Sequence, residues 1–194
     1  MGKVKGSLLV KPLKFLRTRK DAARAALPES MHHYLGRHIL HSHWYEEDDY
    51  FAIMRACSVV MPEPDIDPWE FMGRFSARVD FEGIYAAHVW PGNPERTLKS
   101  FARLWKLRHD TGTVTVSPTG PGEARVELRD YVLVSGEVCR SIQGHIWETL
   151  HQTDVGAIEV RKALCRAEGD ELCRWTATWD VPSDGVDSPA RKPS

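Results

Sequence analysis

Apolar residues recur along the chain at two different periods, and the change between them falls near residue 113. Before that point the spacing suits helices. Leu8, Leu13, Leu16 and Ala23 share one helical face, with Pro12 in a first-turn position. Ser30 is placed to cap a second helix carrying Met31, Tyr34, Leu35 and His38. A third opens at Ser42-His43 with Trp44 and Tyr45. It loads its first turn with Glu46, Glu47, Asp48 and Asp49, which suits the helix dipole, and continues through Tyr50, Ile53, Met54 and Cys57. Met61 to Pro68 is the main interior break. Asp67 and Pro68 then start a helix bearing Trp69, Phe71, Met72, Phe75 and Val79. A last N-terminal helix follows Pro91-Gly92-Asn93-Pro94 and carries Leu98, Phe101, Leu104, Trp105 and Leu107. Gly112 is the left-handed residue expected beyond its end.

From Thr113 the period becomes two. Residues 113–116 and 124–129 flank a Pro- and Gly-rich turn and read as a hairpin. Ser141 to Gln152 reads as a helix, with Ile142, Ile146 and Leu150 in line and His145 beside them. Residues 157–164 and 172–179 form a second hairpin around Gly169, with Cys173, Trp175, Ala177 and Trp179 on its inward face. The expected fold is therefore α+β: N-terminal helices packed on a four-stranded antiparallel sheet built as hairpin, helix, hairpin. Residues 1–181 are expected to form one ligand-binding-like domain, and the Pro- and Ser-rich residues 182–194 a disordered tail.

The stretch 139–179 carries the most distinctive chemistry. A helix entered by Cys139, then C-R-A-E-G-D-E-L-C from Cys165 to Cys173, resembles the 4-vinyl-reductase-type domain. That domain is the sensory module of aromatic-responsive bacterial transcription activators. Its fold is shared with palmitate-binding TRAPP subunits and discussed beside haem-NO-binding domains. The resemblance implies a zinc held by Cys139, Cys165 and Cys173 with a carboxylate. The position of that carboxylate is Lys162 here, so Glu159, His145, His151 or a water is left to complete the tetrahedron. The first half, through Val4-Lys5-Gly6-Ser7, Trp44-Tyr45 and Leu104-Trp105 with His109-Asp110-Thr111-Gly112, is similar to a paralogous family expanded in Myxococcales. That family brings no established activity.

Composition narrows the function classes. The chain of 194 residues is 42% hydrophobic and 27% charged, with a formal net charge of −1, which argues against a nucleic-acid-binding domain. Neither a leader nor a membrane span is visible, so a cytoplasmic location is expected. The basic residues between Lys3 and Arg24 read as a solvated helical face. The five histidines between His32 and His43 read as surface and cap residues. No catalytic motif is present, and an enzyme is not expected. His88 and His109 are the isolated histidines best placed to ligate a haem. However, the Tyr-x-Ser-x-Arg signature of a haem-NO sensor is missing, and the sequence reading sets haem aside. It favours a non-catalytic sensory domain for a small apolar molecule, an acyl chain or an aromatic, lined by Trp69, Phe71, Phe75, Trp105 and Trp147. Such a domain would signal through a protein partner or a second copy. The other class considered is a ligand-free interaction module of TRAPP-like fold.

Overall fold

A computed structural model describes residues 2–83 and 85–181. The chain opens with a short strand, β1 (Lys3–Lys5), and two helices, α1 (Gly6–Arg17) and α2 (Lys20–Ala26). After a 3-10 turn at Glu29–Leu35 come β2 (Trp44–Glu46), α3 (Glu47–Val60), α4 (Pro68–Glu82) and α5 (Pro94–Arg108). The second half is β3 (Thr113–Gly120), β4 (Glu123–Arg129), α6 (Gly136–His151), β5 (Glu159–Leu164) and β6 (Cys173–Thr178). The expected α+β architecture is what the chain adopts, with the hairpin–helix–hairpin order intact. The sheet is antiparallel throughout, in the order β3-β4-β6-β5. Residues 182–194, expected as a tail, lie outside the described residues.

Alternation decides which face of the sheet is covered. Val126 pairs with Trp175, Ala124 with Ala177 and Leu128 with Cys173, so the buried members of β4 and β6 stand on one side. Phe101 and Trp105 of α5 and Ile142, Ile146 and Leu150 of α6 fill the space above them. The remaining helices form a further layer. Leu9, Leu13 and Leu16 of α1 and Ile53, Met54 and Cys57 of α3 pack into their own core together with Trp69 and Met72 of α4. Ala77, Phe81 and Leu104 bridge the two layers.

The seam between the layers runs along α4 and α6, and two glycines set its width. A β-carbon on Gly73 would stand 2.8 Å from the Ser141 carbonyl carbon, and one on Gly144 would stand 2.8 Å from that of Glu70. Both are closer than carbon atoms pack without strain. Backbone therefore meets backbone here, which only glycine permits.

Several local expectations are displaced. Trp44 and Tyr45 belong to β2, which pairs with β1, so the helix begins only at Glu47. Residues 3–5 form the partner strand and tuck against the end of α5 through the Val4–His109 bridge. Pro12 lies inside α1 rather than at its start. Four of the basic N-terminal residues have partners while keeping contact with solvent: Lys3 pairs with Glu46, Lys5 reaches the Ser42 carbonyl, Lys11 pairs with Asp80, and Arg17 donates to the Tyr34 carbonyl. The predicted left-handed turn at Gly112 is present, with φ of 77°.

Candidate functional site

Two arrangements of chemically capable side chains stand out, and α6 contributes to both. The first is a chamber between the helical layers. Its walls come from Tyr50, Phe51 and Met54 on α3, Trp69, Gly73 and Ser76 on α4, Phe101, Trp105 and Arg108 on α5, and Ser141, Ile142 and His145 on α6. Its volume is ≈ 70 Å³. That space holds a few waters or a diatomic gas. It is below the roughly 150 Å³ of an engineered cavity that admits benzene.

His145 is the unusual residue of this chamber. It is fully inside, in contact with Phe101 at a ring separation of 4.8 Å, and its Nε2 has no hydrogen-bond partner. Burial first, and the Arg108 cation second, push its pKa down to about 3, so the imidazole is neutral near pH 7. Arg108 is 5% exposed; it pairs with Asp80, lies over Tyr85, and leaves its Nε unpartnered. Lys11 closes on the same carboxylate at 2.9 Å. Burial works against charge on Asp80, yet the Arg108 and Lys11 cations outweigh it and hold the pKa below the usual carboxylate range.

Beside the chamber, Glu47 is a buried carboxylate at the start of α3. Its Oε1 accepts from the Tyr131 hydroxyl at 2.6 Å and lies 3.1 Å from His109 Nδ1, while Oε2 has no partner. The His109 ring stacks on Trp105 at 4.0 Å. Burial lowers the His109 pKa even though Glu47 pulls it up. The same acid, with burial ahead of it, drives the Tyr131 phenol far above its ordinary value.

The second arrangement is a cluster of thiols. Cys139 in the first turns of α6, Cys165 after β5 and Cys173 at the start of β6 converge as the sequence implied. Cys139 Sγ is 3.5 Å from Cys165 Sγ and 3.4 Å from Cys173 Sγ. All are free and buried. Cys173 also accepts from the Arg166 amide. The hydrogen bond from Cys139 comes first in lowering its pKa, and the same bond raises that of Cys139.

No fourth ligand joins them. Among the described residues, the group of histidine, cysteine and acid side chains close enough to share an ion consists of these thiols alone. Lys162 turns to Glu168, Glu159 pairs with Arg161 on the exposed edge of the sheet, His151 stacks on Trp147, and His145 faces the chamber.

Of the expected pocket residues, Trp69 and Trp105 line the chamber. Phe71 and Phe75 do not. They are 38% and 51% exposed and stack on each other along the outer face of α4. Residues two and six places beyond Trp69 are turned away from it by the 3.6-residue helical repeat. Trp147 lies away from the chamber under the Arg74 guanidinium, and its indole N–H donates to the Ile158 carbonyl. Of the histidines singled out, His88 bonds Ser100, and His109 is in the chamber wall but spends Nδ1 on Glu47. Within the histidine-rich tract, His32 and His33 bond backbone carbonyls. Arg108 was not read as a site residue, and His145 was read only as one of the side chains left to complete a zinc tetrahedron. The helical line of Ile142, Ile146 and Leu150 already placed His145 on the buried side, and that was the available signal.

No family model matches this chain, and no curated protein matches it. Solved structures do. An oxygen-binding H-NOX domain related to soluble guanylate cyclases, in its oxygen complex, superposes with a TM-score of 0.66 at 15% identity, over 95% of this chain and 99% of that one. The fold is that of an H-NOX domain. A structure from work on haem distortion in the H-NOX family gives 0.64 at 15% identity, over 96% of this chain and 100% of that chain. The H-NOX protein from S. oneidensis in its Fe(II)NO state gives 0.61 at 11% identity, over 91% and 99%.

These matches correct the sequence reading in two places. The likeness these structures show is one of fold, to H-NOX domains, and the narrower likeness to 4-vinyl-reductase domains, TRAPP subunits and the Myxococcales family finds no support in them. The cofactor expectation also falls. Haem was set aside and zinc preferred, yet the structures that share this fold include H-NOX domains studied for haem distortion and in an Fe(II)NO state, and among the described residues the thiols have no fourth ligand.

Tested against a haem, the residues fit in one respect and fall short in another. A neutral, buried imidazole with a free Nε2 in an aromatic chamber is suitable donor chemistry for an iron. At ≈ 70 Å³ the chamber is smaller than the roughly 300–1,000 Å³ pockets of larger organic ligands, so a porphyrin requires it to widen.

Proposed function

We propose that this chain is a non-catalytic sensory domain that takes a small ligand in the chamber at His145 and passes the change to a protein partner. The observation that carries this reading is the orphaned Nε2 of His145, buried in an aromatic enclosure and held neutral. A buried polar atom without a partner costs about 1–3 kcal/mol, and native proteins keep few of them without a use. A ligand-free interaction module would leave both His145 and Arg108 unexplained.

Haem is the first group to test, since the fold relatives include an H-NOX domain studied for haem distortion, one in its oxygen complex and one in an Fe(II)NO state. A bound haem would supply an iron able to take a diatomic gas. The chain's own part would be the His145 imidazole, the aromatic wall of Phe101 and Trp105, and the exclusion of water by Ile142 and Met54. His145 sits on α6, which touches both the α4 seam and the sheet, so a ligand that moves it alters how the two layers meet.

The test is a titration of the purified chain with ferrous haem, followed by absorbance. Stoichiometric binding with a histidine-ligated spectrum, changed in His145→Leu, is the expected result. If neither haem nor xenon enters the chamber, and no spectrum depends on His145, the reading fails.

A further inference from the structure

We infer that the chamber contains an oxyanion site, in which the Nε–H of Arg108 and Nε2 of His145 bind a planar anion of three or four heavy atoms such as formate or nitrite. This rests on the chamber being the ligand site. Both side chains are more than nine-tenths buried, both lie in the chamber wall, and both atoms lack a partner in the protein. Arg108 Nε can only donate. His145, being neutral, donates from Nε2 when its single ring proton is there. One acceptor group with two or three oxygens would satisfy both atoms together.

The surrounding charges favour the same ligand class. Lys11 from α1 and Arg108 from α5 converge on a single acid, Asp80 of α4, and of these three only Arg108 lines the chamber. Glu47 of α3 spends its Oε1 on Tyr131 and His109 and is not part of the chamber wall. Tyr50, also in the wall, has a phenol raised by burial and is neutral. The cations Arg108 and Lys11 help to keep a proton off His145, against the pull of Asp80. The same cations disfavour a bare metal ion. A purely apolar occupant would leave both donors unsatisfied. The chamber volume of ≈ 70 Å³ sets the upper size of the guest.

The experiment is calorimetric titration of the haem-free chain with sodium formate, nitrite and acetate against sodium chloride at matched ionic strength. The His145 ring resonances are followed by nitrogen-detected NMR in parallel. Formate or nitrite should bind saturably at one site, shift the Nε2 resonance and raise the unfolding temperature, with acetate weaker. His145→Phe, which fills the space and removes one donor, should weaken binding by about tenfold or more. Arg108→Lys, which keeps a charge beside Asp80 but lacks the Nε–H, provides the second arm should the first variant fold poorly. A response no different from chloride, with water alone in the chamber, overturns the inference. So does formate binding that is unchanged in both variants. If the anion arm fails while haem or xenon binding still depends on His145, only this inference falls; if all fail, the chamber reading falls with it.

Discussion

Replacing Gly73 by alanine tests the seam on which the whole arrangement depends. Alanine is the better helix former, and in an exposed helix the change would add about 1 kcal/mol of stability. On α4 the new methyl would instead stand 2.8 Å from the Ser141 carbonyl carbon and 2.9 Å from the His145 amide nitrogen. Unstrained carbon contacts begin near 3.5 Å, and the Ser141 carbonyl oxygen lies nearer still, so the two helices must separate by more than about 0.7 Å. Both obstacles are backbone, and no side-chain rotation relieves them. Overpacking of this kind costs about 1–3 kcal/mol and sometimes more, which exceeds the propensity gain. We expect Gly73→Ala to lose about 1–2 kcal/mol in urea denaturation, or about 2–8 °C in unfolding temperature. Gly144→Ala, blocked by the Glu70 backbone, should behave alike. The decisive measurement is the double variant. Once one methyl has parted the helices the second meets less resistance, so the combined loss should fall short of the sum by about 1 kcal/mol. Singles within 0.5 kcal/mol of the parent, or strict additivity, would refute the close-packed seam.

Three further outcomes follow from the buried polar groups. The native pKa of His145 lies near 3 against an ordinary value of 6.5, so below pH 6.5 the unfolded chain takes up a proton that the folded chain refuses. Stability should therefore fall by about 1.4 kcal/mol per pH unit from His145 as acidity rises through that window. Denaturation at about pH 7 and about pH 5 should show a shallower fall in His145→Phe, and an unchanged slope would contradict the burial of the ring. Arg78 holds the fully buried Glu148 with two hydrogen bonds of 2.9 and 3.0 Å, leaving Gln152 as the other partner at 2.8 Å. Arg78→Ala should cost about 1–3 kcal/mol by denaturation, and Arg78→Lys should recover only part, since one ammonium cannot bridge both oxygens. Tyr131→Phe removes the 2.6 Å donor from buried Glu47 and should cost about 1–3 kcal/mol; a neutral outcome would mean that water reaches that carboxylate.

Local pattern in the sequence was sufficient for the α+β class, the two hairpins and the helix between them. Those features follow from alternation and helical spacing, which are properties of neighbours along the chain. The site was not legible in the same way. Glu47 reads as one of four acids at a helix start, and only the pairing of β1 with β2 and the arrival of Tyr131 from 84 residues away make it a buried acceptor. Phe71 and Trp69 look equally suited to line a pocket, and the rotation of α4 against α6 exposes one and buries the other. His145 reads as a helix residue beside isoleucines. What leaves its Nε2 without a partner is the meeting of α4, α5 and α6 at glycine-set distances. Composition and periodicity specify what each segment tends to form and bury. Which polar atoms end up paired, and which are left facing an interior space, depends on contacts between segments far apart in sequence, and only the tertiary packing decides those.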